Sequence, residues 1–153
     1  MPSWKNKPLP PFCEHLGIEI VEWSDGHVVL EAEMKPEHCN NSGIPHGGFI
    51  TTLIDVAATL PGVFCPNPDH MRRALTASLN TQFLGQAQSR KLRAVGRVTG
   101  AGRKIFHGAA DVFDGDDNLI ASGQAVCRYR SGSEGPEGQP FNMQDRLRLF
   151  SEA

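Results

Sequence analysis

The run CNNSGIPHGGFITTLIDVAATL, Cys39–Leu60, decides how the rest of the chain is read. From Gly47 onward apolar residues recur at three- and four-residue intervals, and Pro61-Gly62 stops the pattern, which predicts a helix over 47–60. On a helical wheel Phe49, Ile50, Leu53, Ile54, Val56, Ala57 and Leu60 cover most of the circumference. One stripe departs from this: Gly48, Thr51, Thr52, Asp55 and Thr59. A helix so apolar is buried on most sides, yet it keeps a carboxylate halfway along. An ionised carboxylate in such a place is costly unless partners or water meet it. Asp55 is therefore either a core residue tied to an amide or to another subunit, or a general base or nucleophile facing a site.

The start of the helix bears on that choice. His46-Gly47-Gly48 places residues without Cβ atoms where the first N–H groups lack intrahelical partners and the dipole is positive. Glycine weakens a helix, so its use here points to close approach by something else. A carbonyl oxygen gaining negative charge is one such group. The plainer reading is that the two glycines let the loop turn or pack. An anion-binding helix start with a carboxylate two turns further along the same helix is a more specific pairing than either part.

Around this helix the sequence alternates. GIEIVEWSDGHVVLEAEM, Gly17–Met34, reads as a hairpin turning at Asp25-Gly26, with Val28, Leu30, Ala32 and Met34 on one face. Residues 36–46 carry the composition of a loop. Downstream, four strand-like segments run over 74–84, 90–99, 103–113 and 118–130, separated by Gly85, Gly100/Gly102 and DGDDN. The economical arrangement is α+β: a curved antiparallel sheet wrapped around one long central helix. Residues 1–14 read as an N-terminal arm that includes a brief helix in PFCEHLG. Residues 131–153 read as a flexible tail in which FNMQDRLRLF could form a short helix. One helix leaves sheet edges and apolar surface open, so a homodimer or a dimer of dimers (a homotetramer) is expected.

Bulk properties narrow the classes. With 153 residues the chain fits one domain, and a net charge of −2 gives no electrostatic reason to expect nucleic acid or a membrane as partner. The start MPSWKNKPLPPF lacks the apolar segment of a secretory signal, and four scattered cysteines suggest reduced thiols, so a cytoplasmic location is expected. His38, Cys39, His46, Cys65 and His70 have spacings that fit no common zinc site, and no G-x-S-x-G marks a serine hydrolase.

The pattern N-x-x-G-x-x-H-G-G followed by L-x-D-x-A, formed by Asn40, Gly43, His46, Gly47, Gly48, Leu53, Asp55 and Ala57, resembles the hotdog-fold acyl-CoA thioesterases of the phenylacetate-degradation (PaaI-like) type. The likeness continues through LTASLNTQFLGQA, which holds Asn80, and on to about Tyr129, covering residues 15–130. It implies a hotdog fold and hydrolysis of an acyl-CoA, aryl or short to medium chain, to free acid and CoA. No cofactor is implied, coenzyme A being part of the substrate. By the same resemblance Asp55 is the base or nucleophile, and the Gly47 amide polarises the thioester carbonyl. Asn40 orients the carboxylate, carbonyl or water, while His46 supports the loop by hydrogen bonding or takes a direct part in catalysis. A hydroxyl from the partner subunit completes such sites; Thr76 matches best, with Ser78 second.

CoA phosphates call for cations at the pocket mouth. Arg72, Arg73, Arg90, Lys91, Arg103 and Lys104 lie near turns, and Arg103 and Lys104 fit the family pattern best. Gly48 belongs to the same substrate-facing loop, Phe83, Leu84 and Gly85 are expected along the pantetheine channel, and Phe49, Leu60 and Phe64 along the acyl group. Two other readings compete: a non-catalytic acyl-CoA-binding protein, and a hotdog hydratase or dehydratase acting on acyl thioesters.

Overall fold

The computed structural model describes residues 3–142. A short helix α1 (Pro11–His15) leads through Gly17, whose φ of +67° suits glycine, into the hairpin β1 (Ile18–Ser24) and β2 (His27–Glu33). A loop then reaches α2 (Gly47–Thr59), which runs on into a 3-10 turn over Leu60–Val63. The two-residue strand β3 (His70–Met71) precedes β4 (Ala74–Phe83), β5 (Lys91–Ala101), β6 (Ile105–Asp114) and β7 (Leu119–Tyr129), and the chain closes on β8 (Gln139–Pro140).

Six strands form one antiparallel sheet in the order β1-β2-β5-β6-β7-β4, so β1 and β4 are its edges. The sheet wraps α2, whose Phe49, Ile50, Leu53, Ile54, Ala57 and Ala58 are buried. Against them pack Val28, Leu30 and Ala32 of β2, Leu92 and Ala94 of β5, Phe106, Ala110 and Val112 of β6, and Ala121, Ala125 and Cys127 of β7. The alternating pattern that predicts the sheet is the inner face of these strands.

Two glycines set how close helix and sheet come. A Cβ on Gly96 of β5 would lie 1.7 Å from the Ala57 carbonyl oxygen, and one on Gly108 of β6 would lie 1.9 Å from that of Ala58. The last turn of α2 is thus pressed directly onto sheet backbone, which no larger residue permits.

The described parts of both chain ends are tied to the body of the domain. The segment after Tyr129 is not a free tail through residue 142. β8 pairs with β3, Ser133 is buried, and Arg72 donates to the Ser133 and Glu134 carbonyls at 3.1 and 2.9 Å. Its glycine-rich composition was read as flexibility, but those backbone groups are satisfied by the body of the domain. The N-terminal arm is likewise tied down: Trp4 packs on the core, and Lys7, 8% exposed, donates to the Cys65 carbonyl. The expected helix in FNMQDRLRLF lies almost wholly outside the described residues.

Candidate active site

His46 caps α2. Its Nδ1 accepts the Gly48 N–H at 2.9 Å, and its carbonyl accepts Phe49 N–H at 2.9 Å and Ile50 N–H at 3.2 Å. Three of the first four helix donors are thereby used. Among the described residues the Gly47 N–H is the first-turn donor without a partner. His46 thus acts locally as a cap, and the Gly48 amide hydrogen is spent on it.

The Gly47 N–H borders a cleft of about 330 Å³. Its walls are mostly apolar: Ile44, Pro45, Ile50, Phe83, Ala87 and Ile120, with Asn40, Gly85 and Gln86 also present. A Cβ built on Gly47 would stand 3.3 Å from the Phe83 ring, so the missing side chain is what keeps this approach open. Asn40 spends its Oδ1 on the amides of Ser42 (2.9 Å) and Ile44 (3.4 Å), bonds that close the turn through Gly43. Its amide nitrogen is then the end left to face the cleft, and it can only donate. Leu84 is exposed and lies outside the lining.

The expected acyl-lining residues are elsewhere. Phe49 is buried and stacks on His38 with ring centroids 4.2 Å apart, and Phe64 packs edge-on against Trp23 at 5.7 Å. Both serve the core, as does Leu60. Ile120 and Ala87, which no sequence signal marks, line the cleft at Gly47 instead. Nothing in the sequence around residue 120 signals a contact with residue 47; only strand pairing brings them together.

Asp55 is half-buried on the α2 face nearest β4 and accepts the Thr76 hydroxyl at 2.7 Å on Oδ1. Thr59, one turn on, is 3.4 Å from Thr76 Oγ1 and 3.4 Å from Cys127 Sγ, extending a chain of polar atoms behind the carboxylate. The Thr76 that meets Asp55 belongs to the same chain, whereas the resemblance implies a partner's hydroxyl. Ser78 is excluded by register: a bulge separates it from Thr76, and it lines a hollow on the outer sheet face with Asn80, His107 and Gln124. Charge from Asp55 also reaches Cys13 of α1, whose thiol is pushed up to about 11 by burial first and then by Asp55 and Glu14. Burial is also the main cause that raises the Cys127 thiol, with the Thr59 and Thr76 hydroxyls opposing it and Asp55 adding to it.

The reading in which one helix supplies both the amide and the carboxylate to one carbonyl does not survive. Gly47 and Asp55 lie eight residues apart on a continuous helix, about 12 Å along its axis. Reacting atoms need to be about 3–3.5 Å apart. Asp55 is also absent from the lining of the Gly47 cleft.

Between these two points the edge strand β4 is left open. Leu79 and Phe83 are on the strand face nearest α2, yet they are 36% and 60% exposed. A bare sheet edge beside bare apolar side chains is the mark of a surface made to be covered. Arg103 and Lys104 are exposed in the β5–β6 turn, where the Lys104 carbonyl accepts Tyr129 N–H at 3.0 Å. They therefore stand at the end of the sheet where β4 begins and β7 ends.

Comparison with known proteins agrees with this geometry. The model of a family described as the thioesterase superfamily matches residues 42–121, which span the capped helix start, Asp55, Thr76 and the cleft. The chain belongs to the thioesterase superfamily. Its fold is the PaaI-like hotdog: the PaaI protein of E. coli, from the phenylacetic acid degradation operon, superposes with a TM-score of 0.74 at 18% identity, over 86% of this chain and 95% of that one. A conserved protein of Pseudomonas aeruginosa gives 0.72 at 26% identity, covering 82% of this chain and 98% of its own. In sequence, YigI of Salmonella typhimurium, a medium/long-chain acyl-CoA thioesterase, is 26% identical over 129 residues, or 76% of this chain and 83% of its own. Membership of this superfamily and the likeness to a thioesterase support thioester hydrolysis as its chemistry. No helix among the described residues is long and apolar enough to cross a membrane.

Proposed function

We propose that the protein hydrolyses acyl-CoA thioesters, aryl or short to medium chain, in a site shared between two copies of the chain. The observation that carries this is the unspent Gly47 N–H at the mouth of an apolar cleft, set about 12 Å from the only carboxylate on its helix. One carbonyl can meet both groups only if they come from different chains. A two-fold axis near Thr51 on α2 would bring Gly47 of one copy opposite Asp55 of the other. The same axis, passing near Leu79 and Asn80, would pair the exposed edges of β4 antiparallel. Phe83, which packs on Gly47, would then face Thr76, which bonds Asp55, so helix and strand ask for one operation.

In that arrangement the Gly47 N–H takes the carbonyl oxygen and stabilises the charge it gains on attack. The Asn40 amide can add a second donor. Thr76 holds Oδ1 of Asp55, which leaves Oδ2 to act as the base that takes a proton from water or as the nucleophile itself. The apolar cleft excludes water around the reacting bond. The C–S bond breaks and CoA leaves as thiolate, to be protonated from solvent. Where water attacks, the acid forms directly; where Asp55 attacks, water then cleaves the acyl–Asp55 anhydride to free acid and carboxylate.

The test is a panel of acyl-CoA esters followed by release of free thiol. Asp55→Asn, which keeps shape and loses charge, should lower kcat by about two orders of magnitude or more with the melting temperature retained. Turnover near that of the unmodified protein would remove Asp55 from the mechanism.

A further inference from the structure

A second cavity, of about 320 Å³, opens at the other end of β4. Pro8–Pro11 of the arm, Met71 and Phe141 give it apolar walls, and Arg73 and Arg130 stand over it. The two arginines are neighbours by construction. Arg73 precedes β4, Arg130 follows β7, and the Arg130 N–H donates to the Arg73 carbonyl at 2.9 Å. Among the described residues neither guanidinium has a hydrogen-bond or ion-pair partner. Arg72 next door shows the contrast: it is committed to the Ser133 and Glu134 carbonyls and lies 4.5 Å from the centre of the Tyr129 ring. Both side chains are exposed and line the same cavity, where an anion could take charge-assisted hydrogen bonds from each.

The cavity's position says which anion. Arg73 is three residues before Thr76, about 10 Å along an extended strand, and Thr76 bonds Asp55. The arm that forms the opposite wall runs into α1, where Cys13 feels the charge of Asp55. The cavity therefore lies beyond the Thr76 end of β4, on the Asp55 side of the molecule and away from the cleft at Gly47. Resting on the shared-site reading above, we infer that Arg73 and Arg130 bind the 3′-phosphorylated adenosine diphosphate end of coenzyme A. The acyl group then lies in the Gly47 cleft of the other copy, and the pantetheine arm spans the interval past Thr76. Apolar walls suit the adenine ring, two guanidiniums at one cavity suit phosphate, and Arg103 and Lys104 add positive charge at the same end of the sheet.

The test uses the full chain and does not depend on turnover. Adenosine 3′,5′-bisphosphate, inorganic phosphate and adenosine are each titrated by calorimetry. The bisphosphate should bind at least about tenfold more tightly than either fragment. Arg73→Gln with Arg130→Gln should weaken it by about 100-fold, the scale of losing charge-assisted hydrogen bonds. In kinetics, the double variant should lose its preference for an acyl-CoA over the same acyl group on N-acetylcysteamine, with the loss in KM. If the double variant does not fold, Arg130→Gln alone should shift both readouts the same way. Unchanged bisphosphate affinity, or phosphate binding as tightly as bisphosphate, would overturn the assignment. Arginine-dependent bisphosphate binding without any thioester hydrolysis would keep this site and discard the hydrolase reading.

Discussion

Replacing Gly47 by proline removes the amide hydrogen from the proposed reaction and adds a ring at the cleft mouth, whose steric share an alanine variant isolates. Gly47 is the first residue of α2, where proline's fixed φ and missing N–H are both tolerated. The residue before a proline must be extended, and His46 already has φ −61° and ψ 138°. No intrahelical bond is lost, because the Gly47 N–H has none to lose. The ring would press on Phe83, whose nearest atom is 3.3 Å from a Cβ at this position, a contact that a Gly47→Ala variant shares. Stability should therefore hold or rise by about 0.4–1 kcal/mol through the unfolded chain. Turnover should fall about 10²- to 10³-fold, the cost of deleting one donor to a developing oxyanion. Gly47→Ala is the control that adds the same Cβ and keeps the N–H. Steady-state hydrolysis of one acyl-CoA by both variants, with melting curves, separates the effects. If the proline variant stays within threefold of the alanine variant, the amide has no part in the chemistry.

Two further outcomes concern the fold. Gly108→Ala puts a methyl group 1.9 Å from the Ala58 carbonyl oxygen, where backbone on both sides must move; chemical denaturation should show a loss of about 3 kcal/mol or more. Asp114 is buried and accepts the amides of Gln88, Asp116 and Asn118, which hold its carboxyl at about 2, below the ordinary 3.8. A lowered folded-state value means its contribution is complete above about pH 4 and is lost as pH falls through 2. The stability gap between the unmodified protein and Asp114→Asn should accordingly narrow from pH 5 to pH 2 in urea melts; a gap independent of pH would refute this.

The fold was legible because its signals are local. A 3.6-residue period stopped by Pro61-Gly62, and two-residue periods broken by glycines, name the long helix and all six strands of the main sheet without any long-range information. The stripe bearing Asp55 and Thr59 was legible for the same reason. What the sequence concealed is distance and pairing. Gly47 and Asp55 share a helix, and their spacing reads as partnership until the rise per residue is counted. Thr76 next to Asp55, Ile120 in the cleft and Arg73 beside Arg130 all depend on strand register, which residue patterns leave undetermined. Phe49 and Phe64 were misread as acyl-lining because large apolar side chains serve a core and a pocket equally well, and only His38 and Trp23 decide between them.

The most direct test of the shared site mixes two crippled chains. Asp55→Asn and Gly47→Pro variants, each nearly inactive alone, are unfolded together and refolded as random pairs. If each site takes its carboxylate from one chain and its amide from the other, every mixed pair regains one intact site. Activity should then return to about a quarter of that of the unmodified protein. A mixture no more active than the separate variants would contradict the shared site.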